Sequence, residues 1–241
     1  MTFWKALRRI ALLLAMLPAW AGEGKLTLYF VTNAPVACRI EDNLACLGGW
    51  LAVRAAKEAG LPYEIKELPW KRATAELSRD PDGVFVATGR TPDLEEQFDW
   101  VVPVYTDETW LIRRMDAPSD PAALQHIGVK TGSPFVAEAR RQGWHYDEIN
   151  DWPAMVRTLI AHRIDAVYAT RLVLSQNVAP NLPVTFQSSI VKVDHMTWWI
   201  ARGRNMGETQ SVRKFREAAE QILQTEEYEA RATALTSSQS R

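Results

Sequence analysis

The sequence predicts an α/β protein made of two units in series, and three observations predict it. Strand and helix patterns alternate as β-α-β-α-β between Lys25 and Thr88, and a similar run spans Ile127 to Asn177. After these the chain ends in one further strand and two helices, the first of them with an apolar side that must be buried on something already folded. Alternation of this kind argues for mainly parallel sheets covered by helices.

In the first unit, Lys25 to Thr32 is rich in β-branched and aromatic residues and stops at the turn formers Asn33 and Pro35, as a strand does. An Ala-rich stretch containing Trp50, Val53, Arg54 and Lys57 to Ala59 reads as a helix ended by Gly60. Tyr63 to Leu68 alternates as a strand, Trp70 to Leu77 forms a short helix, and Gly83 to Thr88 is a buried strand. In the second unit, Ile127 to Lys130 is a strand, Ser133-Pro134 starts a helix through Arg141 that stops at Gly143, and Tyr146 to Ile149 is a strand. Asp151 then caps a helix that carries Pro153 in its first turn and runs to His162. Ile164 to Ala169 is a strand and Arg171 to Asn177 a helix. The tail holds a strand at Met196 to Ile200 and an amphipathic helix at Ser211 to Gln224, with Val212, Phe215, Ala219, Ile222 and Leu223 on one side. A last helix follows at Glu226 to Leu235. The first unit is the expected place for this tail to pack.

The start of the chain carries an export pattern. Lys5, Arg8 and Arg9 precede the apolar run Ile10 to Leu17, and Ala19-Trp20-Ala21 supplies the small residues a signal peptidase needs, so residues 1–21 read as a signal peptide and the mature chain as beginning near Gly22. An uncleaved anchor is the alternative, but a run of about 8 to 12 apolar residues is short against the roughly 20 needed to span a bilayer. No Cys follows the cleavage point, which argues against a lipid anchor. The expected location is periplasmic and soluble. Three of the 28 basic side chains lie in the leader, which leaves 25 against 29 acidic ones and a net charge of −4 on 220 residues. That balance offers no electrostatic footprint for nucleic acid. A chain this long buries a core without help from a metal or disulfide, as one large domain or two small lobes.

Cys38 and Cys46 both survive in the mature chain, and an oxidising compartment favours joining them. The closed loop would add roughly 2 to 3 kcal/mol on the chain-entropy model. Two buried free thiols are the alternative. The spacing fits no zinc pattern, and His126, His145, His162 and His195 are scattered, so no metal and no cofactor is expected.

The segments Leu68-Pro69-Trp70-Lys71-Arg72-Ala73, Gly83 to Thr88, and Arg90-Thr91-Pro92-Asp93-Leu94-Glu95-Glu96-Gln97-Phe98-Asp99-Trp100 with Pro103 resemble the first lobe of family 3 extracellular solute-binding proteins, the bilobal proteins that serve ABC importers. Ile127 to Ser133 and Ile164-Asp165-Ala166-Val167 are similar to that family's second lobe. The resemblance covers essentially the whole mature chain in the right order. It implies a two-lobed periplasmic binding protein fold, each lobe a mainly parallel sheet covered by helices, with two crossing hinge strands near Tyr105 to Thr109 and Lys192 to His195. The lobes would be 22–108 with 194–241, and 109–193. It also implies capture of a small polar solute, anionic or amino-acid-like, in the cleft by hinge closure, with an ABC permease or a membrane sensor as partner; a monomer is expected.

Candidate ligand residues follow in part from chemistry and in part from the resemblance. Trp70, after a Pro and at a helix start, occupies the position that packs on ligand in the family; a core tryptophan is the alternative. Arg72 lies on the same helix turn and either enters the cleft or is solvated. Arg90 directly follows the buried strand, at the edge where open α/β sheets bind ligands, and a guanidinium there can grip a carboxylate; an ion pair with Asp93 or Glu95 is the alternative. Ser133 serves as anion donor, as N-cap or as both. Thr91, Thr170 and Arg171 complete the set. Two positions depart from the amino-acid binders. Leu94 stands three residues after Thr91 where they carry a carboxylate-gripping Arg, and Thr170 stands where they carry an ammonium-binding Asp. Arg72, Arg90, Lys130 and Arg171 around the cleft would favour an anionic ligand. The rivals are a periplasmic sensor and a cyclic-acid dehydratase, the latter needing a tuned acid or base. Asp93, Glu95, Asp107 and Glu108 are available, each read as a solvated surface charge.

Overall fold

The protein is described by a computed structural model over residues 24–31 and 47–237. The leader, its cleavage point and both cysteines lie outside the described residues.

The described chain forms one curled sheet of eight strands with seven α-helices. In order these are β1 (Leu26–Val31), α1 (Leu47–Glu58), β2 (Tyr63–Leu68), α2 (Trp70–Leu77), β3 (Gly83–Gly89), β4 (Phe98–Arg114), β5 (Ile127–Lys130), α3 (Pro134–Arg141), β6 (Tyr146–Ile149), α4 (Trp152–Ile160), β7 (Ala166–Thr170), α5 (Arg171–Asn177), β8 (Ser188–Gly203), α6 (Gln210–Ile222) and α7 (Glu226–Ser237). The strand order is β2-β1-β3-β8-β4-β7-β5-β6. β1 pairs parallel with β2 and β3 on one side, and β5 pairs parallel with β6 and β7 on the other. Between these halves β4 and β8 run antiparallel from Phe98↔Gly203 to Arg114↔Ser188, so two long strands connect two parallel sheets.

Local chemistry explains most element ends. The Asp151 carboxylate accepts from Ala154 N–H at 2.7 Å, and the Thr209 hydroxyl from Val212 N–H at 3.2 Å, which starts α4 and α6. Gly60 follows α1 with φ of 68°, a left-handed geometry that costs a glycine nothing. β3 is buried along its whole length, as a strand covered on both faces must be. Most ends fall within two residues of those read from the sequence.

The tail packs where its apolar side requires. α6 buries Val212, Phe215, Ala219 and Ile222 and packs on α1, which buries Leu51, Ala52, Ala55 and Ala56. Phe215 is fully buried, a contribution of about 1.5 to 3 kcal/mol. Thr209 donates to Asp82 at 2.6 Å and Ser211 to Gly24 O at 3.1 Å, which fastens the start of α6 to β1 and the turn before β3. α7 continues over the sheet, where the Tyr228 hydroxyl donates to Val104 O and Arg231 lies 4.5 Å over Trp50.

The central strands extend well beyond the sequence reading. Local pattern marked only Met196 to Ile200, and the crossing segments were short; β4 has 17 residues and β8 has 16. Pro103 and the charges of Asp99, Asp107 and Glu108 mask β4 in the sequence. The structure accommodates the proline between two register shifts, at Trp100/Val102 and Pro103/Tyr105.

Candidate functional site

A cavity of about 330 Å³ lies between the two halves of the sheet. From the first half it receives Val31 at the end of β1, Pro69 and Trp70 at the start of α2, and Phe85, Ala87 and Thr88 on β3. From the second half come Lys130 at the end of β5, the turn Thr131-Gly132-Ser133, Pro134 and Phe135 opening α3, Trp152 opening α4 and Val173 on α5. Trp198 of β8 contributes from the centre. The cavity therefore sits at the carboxyl ends of the parallel strands of both halves, where open α/β sheets bind ligands.

Its walls are largely aromatic. Trp70 meets Phe85 edge-on with ring centroids 5.1 Å apart, and Phe135 meets Trp198 at 6.3 Å. Lys130 is the one charged residue among those lining it. Burial holds its ammonium below the usual lysine range, opposed in part by the charge of Asp151. Thr88, Trp152 and Trp198 are each more than nine-tenths buried. Their Oγ1, Nε1 and Nε1 atoms find no hydrogen-bond partner. Ala87, a non-glycine residue, has φ of 57° at this wall, next to a register shift of β3 against β8. Such strain is held in place by the packing around it.

The halves touch around the cavity. Arg140 of α3 pairs with Asp93 at 3.4 Å. Gly132 lies against Trp70, whose Cβ would be 3.9 Å from a Cβ built on the glycine. At Gly89 a Cβ would stand 2.9 Å from Pro134 Cγ and 2.5 Å from Met196 Sδ. The methionine end can shift, whereas Pro134 is fixed at the start of a helix. Gly89→Ala is thus expected to weaken binding of a cavity ligand about tenfold, roughly 1.4 kcal/mol. The melting temperature of the ligand-free protein should move little, and calorimetric titration beside a thermal melt checks both.

The structure separates the residues that the sequence grouped. Trp70 and Ser133 line the cavity, and the Ser133 hydroxyl donates to Lys130 O at 2.6 Å rather than capping α3. Arg72 is exposed and paired with Glu76 at 3.0 Å. Arg90 is clamped by Glu95, with Nε to Oε1 at 2.7 Å, and its guanidinium lies 5.2 Å over Trp100 and 5.0 Å over Trp199. Arg90 and buried Thr91 line a separate hollow of about 290 Å³, together with Glu138, Arg141, Tyr168 and Asp194. Thr170 is fully buried at the end of β7 and Arg171 pairs with Asp107 at 3.4 Å; neither is among the residues lining the cavity. Of the four cations expected around the cleft, Lys130 alone lines it, because carboxylates hold the other three elsewhere.

One departure gains a structural reason and one reading is corrected. Leu94 belongs to an apolar cluster with Tyr29, Ala73, Leu77, Phe85 and Phe98, so its position serves packing. Asp107 is not a solvated charge: its side chain is 2% exposed, Oδ2 accepts from Leu172 N–H at 2.8 Å, and Oδ1 faces Arg171. Burial pushes its carboxyl above the usual range, although Leu172 N–H and Arg171 pull the other way. The residues that sequence reasoning missed are Phe85, Thr88, Phe135, Trp152, Val173 and Trp198. All but Val173 stand on a strand or a helix start already located, and for all of these but Trp198 the rule that ligands sit at strand carboxyl ends would have found them. No group of three or more His, Cys, Asp or Glu among the described residues could hold a metal ion. No helix among them is long and apolar enough to cross a membrane.

No protein-family model matches the chain, and no curated protein matches it in sequence. Solved structures do match. A histidine kinase sensor domain with similarity to periplasmic binding proteins superposes with a TM-score of 0.69 at 14% identity, over 88% of this chain and 96% of its own. The amino acid ABC transporter substrate-binding protein AbpA from Streptococcus pneumoniae, bound to L-arginine, gives 0.66 at 15% identity, over 90% and 97%. An ancestral amino acid-binding protein, a precursor of cyclohexadienyl dehydratase, gives 0.67 at 15% identity, over 88% and 95%. The fold is that of a two-lobed periplasmic binding protein. In a fold of this kind the cavity described above is the interlobe cleft, and β4 and β8 are the strands that cross between the lobes.

Proposed function

We propose that the protein is a periplasmic solute-binding protein that captures a small solute between its lobes and presents it to a membrane partner of the ABC-importer type. The observation that carries this reading is the cavity, walled by residues of both lobes at the carboxyl ends of their strands. Contacts drawn from both lobes exist only when the lobes meet, so a ligand that makes them favours the closed form. The lobes would comprise 22–108 with 194–241, and 109–193, and would close about the crossing segments of β4 and β8. Export through the leader, a monomeric state and the absence of a cofactor complete the proposal.

In the second reading the same binding step signals to a membrane sensor, and the sensor-domain neighbour is what favours it. The dehydratase reading has less support, since of its candidate carboxylates Asp93 reaches only an adjoining hollow that shares Trp70 and Ser133 with the cavity. Asp93, Glu95, Asp107 and Glu108 are not among the residues lining the cavity. Trp70, Lys130 and Ser133 are the sequence-derived residues that this proposal keeps in contact with ligand. Arg90 becomes a packing element, and Arg90→Ala is expected to change ligand affinity less than twofold by calorimetric titration.

The test is a thermal-shift screen of the chain from Gly22 onward against amino acids, carboxylates, phosphorylated compounds and cyclic acids. A ligand at about 100 times its Kd should add roughly 2.7 kcal/mol. Silence across the panel would sink the solute-binding reading.

A further inference from the structure

The chemistry of the cavity wall narrows the ligand class. Lys130 is the one charged residue lining the cavity, and it has no salt-bridge partner among the described residues. No carboxylate or histidine is found among the lining residues. The unpartnered indole N–H groups of Trp152 and Trp198 and the Thr88 hydroxyl are themselves buried behind the wall, so the Lys130 ammonium is the group that sets the charge a ligand must carry. A lone cation calls for an anion. An ammonium would find the opposite. Thr170 occupies the end of β7 with a neutral side chain, and the nearby Asp107 carboxylate is engaged by Leu172 N–H and by Arg171. A ligand ammonium placed in the cavity would lose its water without gaining a counter-charge, a large penalty. The remaining surface, Trp70, Phe85, Phe135, Trp152 and Trp198, suits a flat apolar body. A volume of about 330 Å³ holds a compound on the order of ten to fifteen non-hydrogen atoms.

We infer that the ligand is a monoanionic carboxylate on an aromatic or cyclic apolar body, without an ammonium group, and that Lys130 is its counter-ion. This rests on the proposed solute-binding function and specifies its substrate. The desolvated Lys130 ammonium agrees with the geometry, since an anion beside it would relieve the cost of its burial. The same wall accounts for the two departures: Lys130 would take the carboxylate in place of the arginine absent at Leu94, and a ligand without an ammonium needs no acid at Thr170.

The decisive experiment is calorimetric titration of the leaderless protein with matched compounds: aromatic carboxylates from benzoate to indole-3-acetate, their primary amides, and the aromatic L-amino acids. The expected result is that at least one acid binds tenfold or more tighter than its amide and than the amino acid on the same ring. Lys130→Met should bring the ratio of acid to amide near one, while Lys130→Arg keeps most of it. Circular dichroism and melting temperature confirm that both variants fold. Amino acids or amides binding as tightly as the acids would overturn the ligand class and leave the solute-binding function standing. An acid preference that survives Lys130→Met would overturn the role of Lys130. Absence of binding by all three series and by the broader screen would overturn both readings together.

Discussion

Asp107→Ala is expected to destabilise the protein by about 2 to 4 kcal/mol, measured as a fall in the urea midpoint at unchanged slope. Two consequences combine in this variant. The Leu172 N–H at the start of α5 loses its acceptor, and the Arg171 guanidinium, on a side chain only 16% exposed, loses the carboxylate 3.4 Å away. Asp107→Asn separates these effects, because an amide oxygen can still accept from Leu172 N–H. It should cost roughly 1 kcal/mol or less. The pH dependence has a definite sign. Burial raises the folded-state value of Asp107 above that of the unfolded chain, near 3.9, so the fold holds the proton more tightly. The contribution of this group is then fully present below about pH 3.9 and is lost as pH rises through the raised folded value. Stability of the wild type relative to Asp107→Asn should therefore increase as pH falls from neutral towards 4. An opposite slope would mean that the ion pair with Arg171 outweighs desolvation.

Phe85→Ala is expected to cost about 3 to 5 kcal/mol, the range for removing a buried aromatic ring. Phe85 is 1% exposed and holds Trp70 at 5.1 Å and Phe98 at 5.8 Å between ring centroids, so its loss leaves a hole beneath the residue that forms the first-lobe wall. Collapse of Trp70 into that hole would recover part of the energy and enlarge the cleft. Phe85→Leu, which keeps most of the volume, should cost less than about 1.5 kcal/mol. Urea unfolding of both variants checks the energetics. Repeating the ligand screen on Phe85→Leu checks the geometry, since a wider floor should admit a larger ring.

Both predictions concern residues whose importance local pattern conveyed only in part. Phe85 lies in a strand legible from five consecutive apolar or small residues, yet its place on the cleft wall depends on α2 and α3 arriving from either side. Asp107 carries a charge in a segment with little local signal, because β4 alternates irregularly around Pro103 and its partner β8 is about ninety residues distant. Arg90 shows the same limit from the opposite direction. Its place just past β3 was read correctly, but the register shift between Phe85 and Thr88, with Ala87 at φ of 57°, intervenes before it. A shift of that kind changes which face the following side chains occupy. Glu95, Trp100 and Trp199 then hold the guanidinium away from the cavity.

What the sequence by itself determined is the local order of elements. Apolar periodicity, the Asp151 cap, the glycines after α1 and α3 and the apolar face of α6 each act within a few residues, so they specify strands, helices and a tail that must return to the first unit. Trp70 and Ser133 were within reach for the same reason, since both stand at helix starts beside strand ends. Tertiary structure alone decided how far β4 and β8 extend, which cations meet carboxylates and which one is left facing the cleft. Those outcomes depend on pairings between residues tens of positions apart, and on the cost of burying a charge without a partner, neither of which is written in the spacing of the chain.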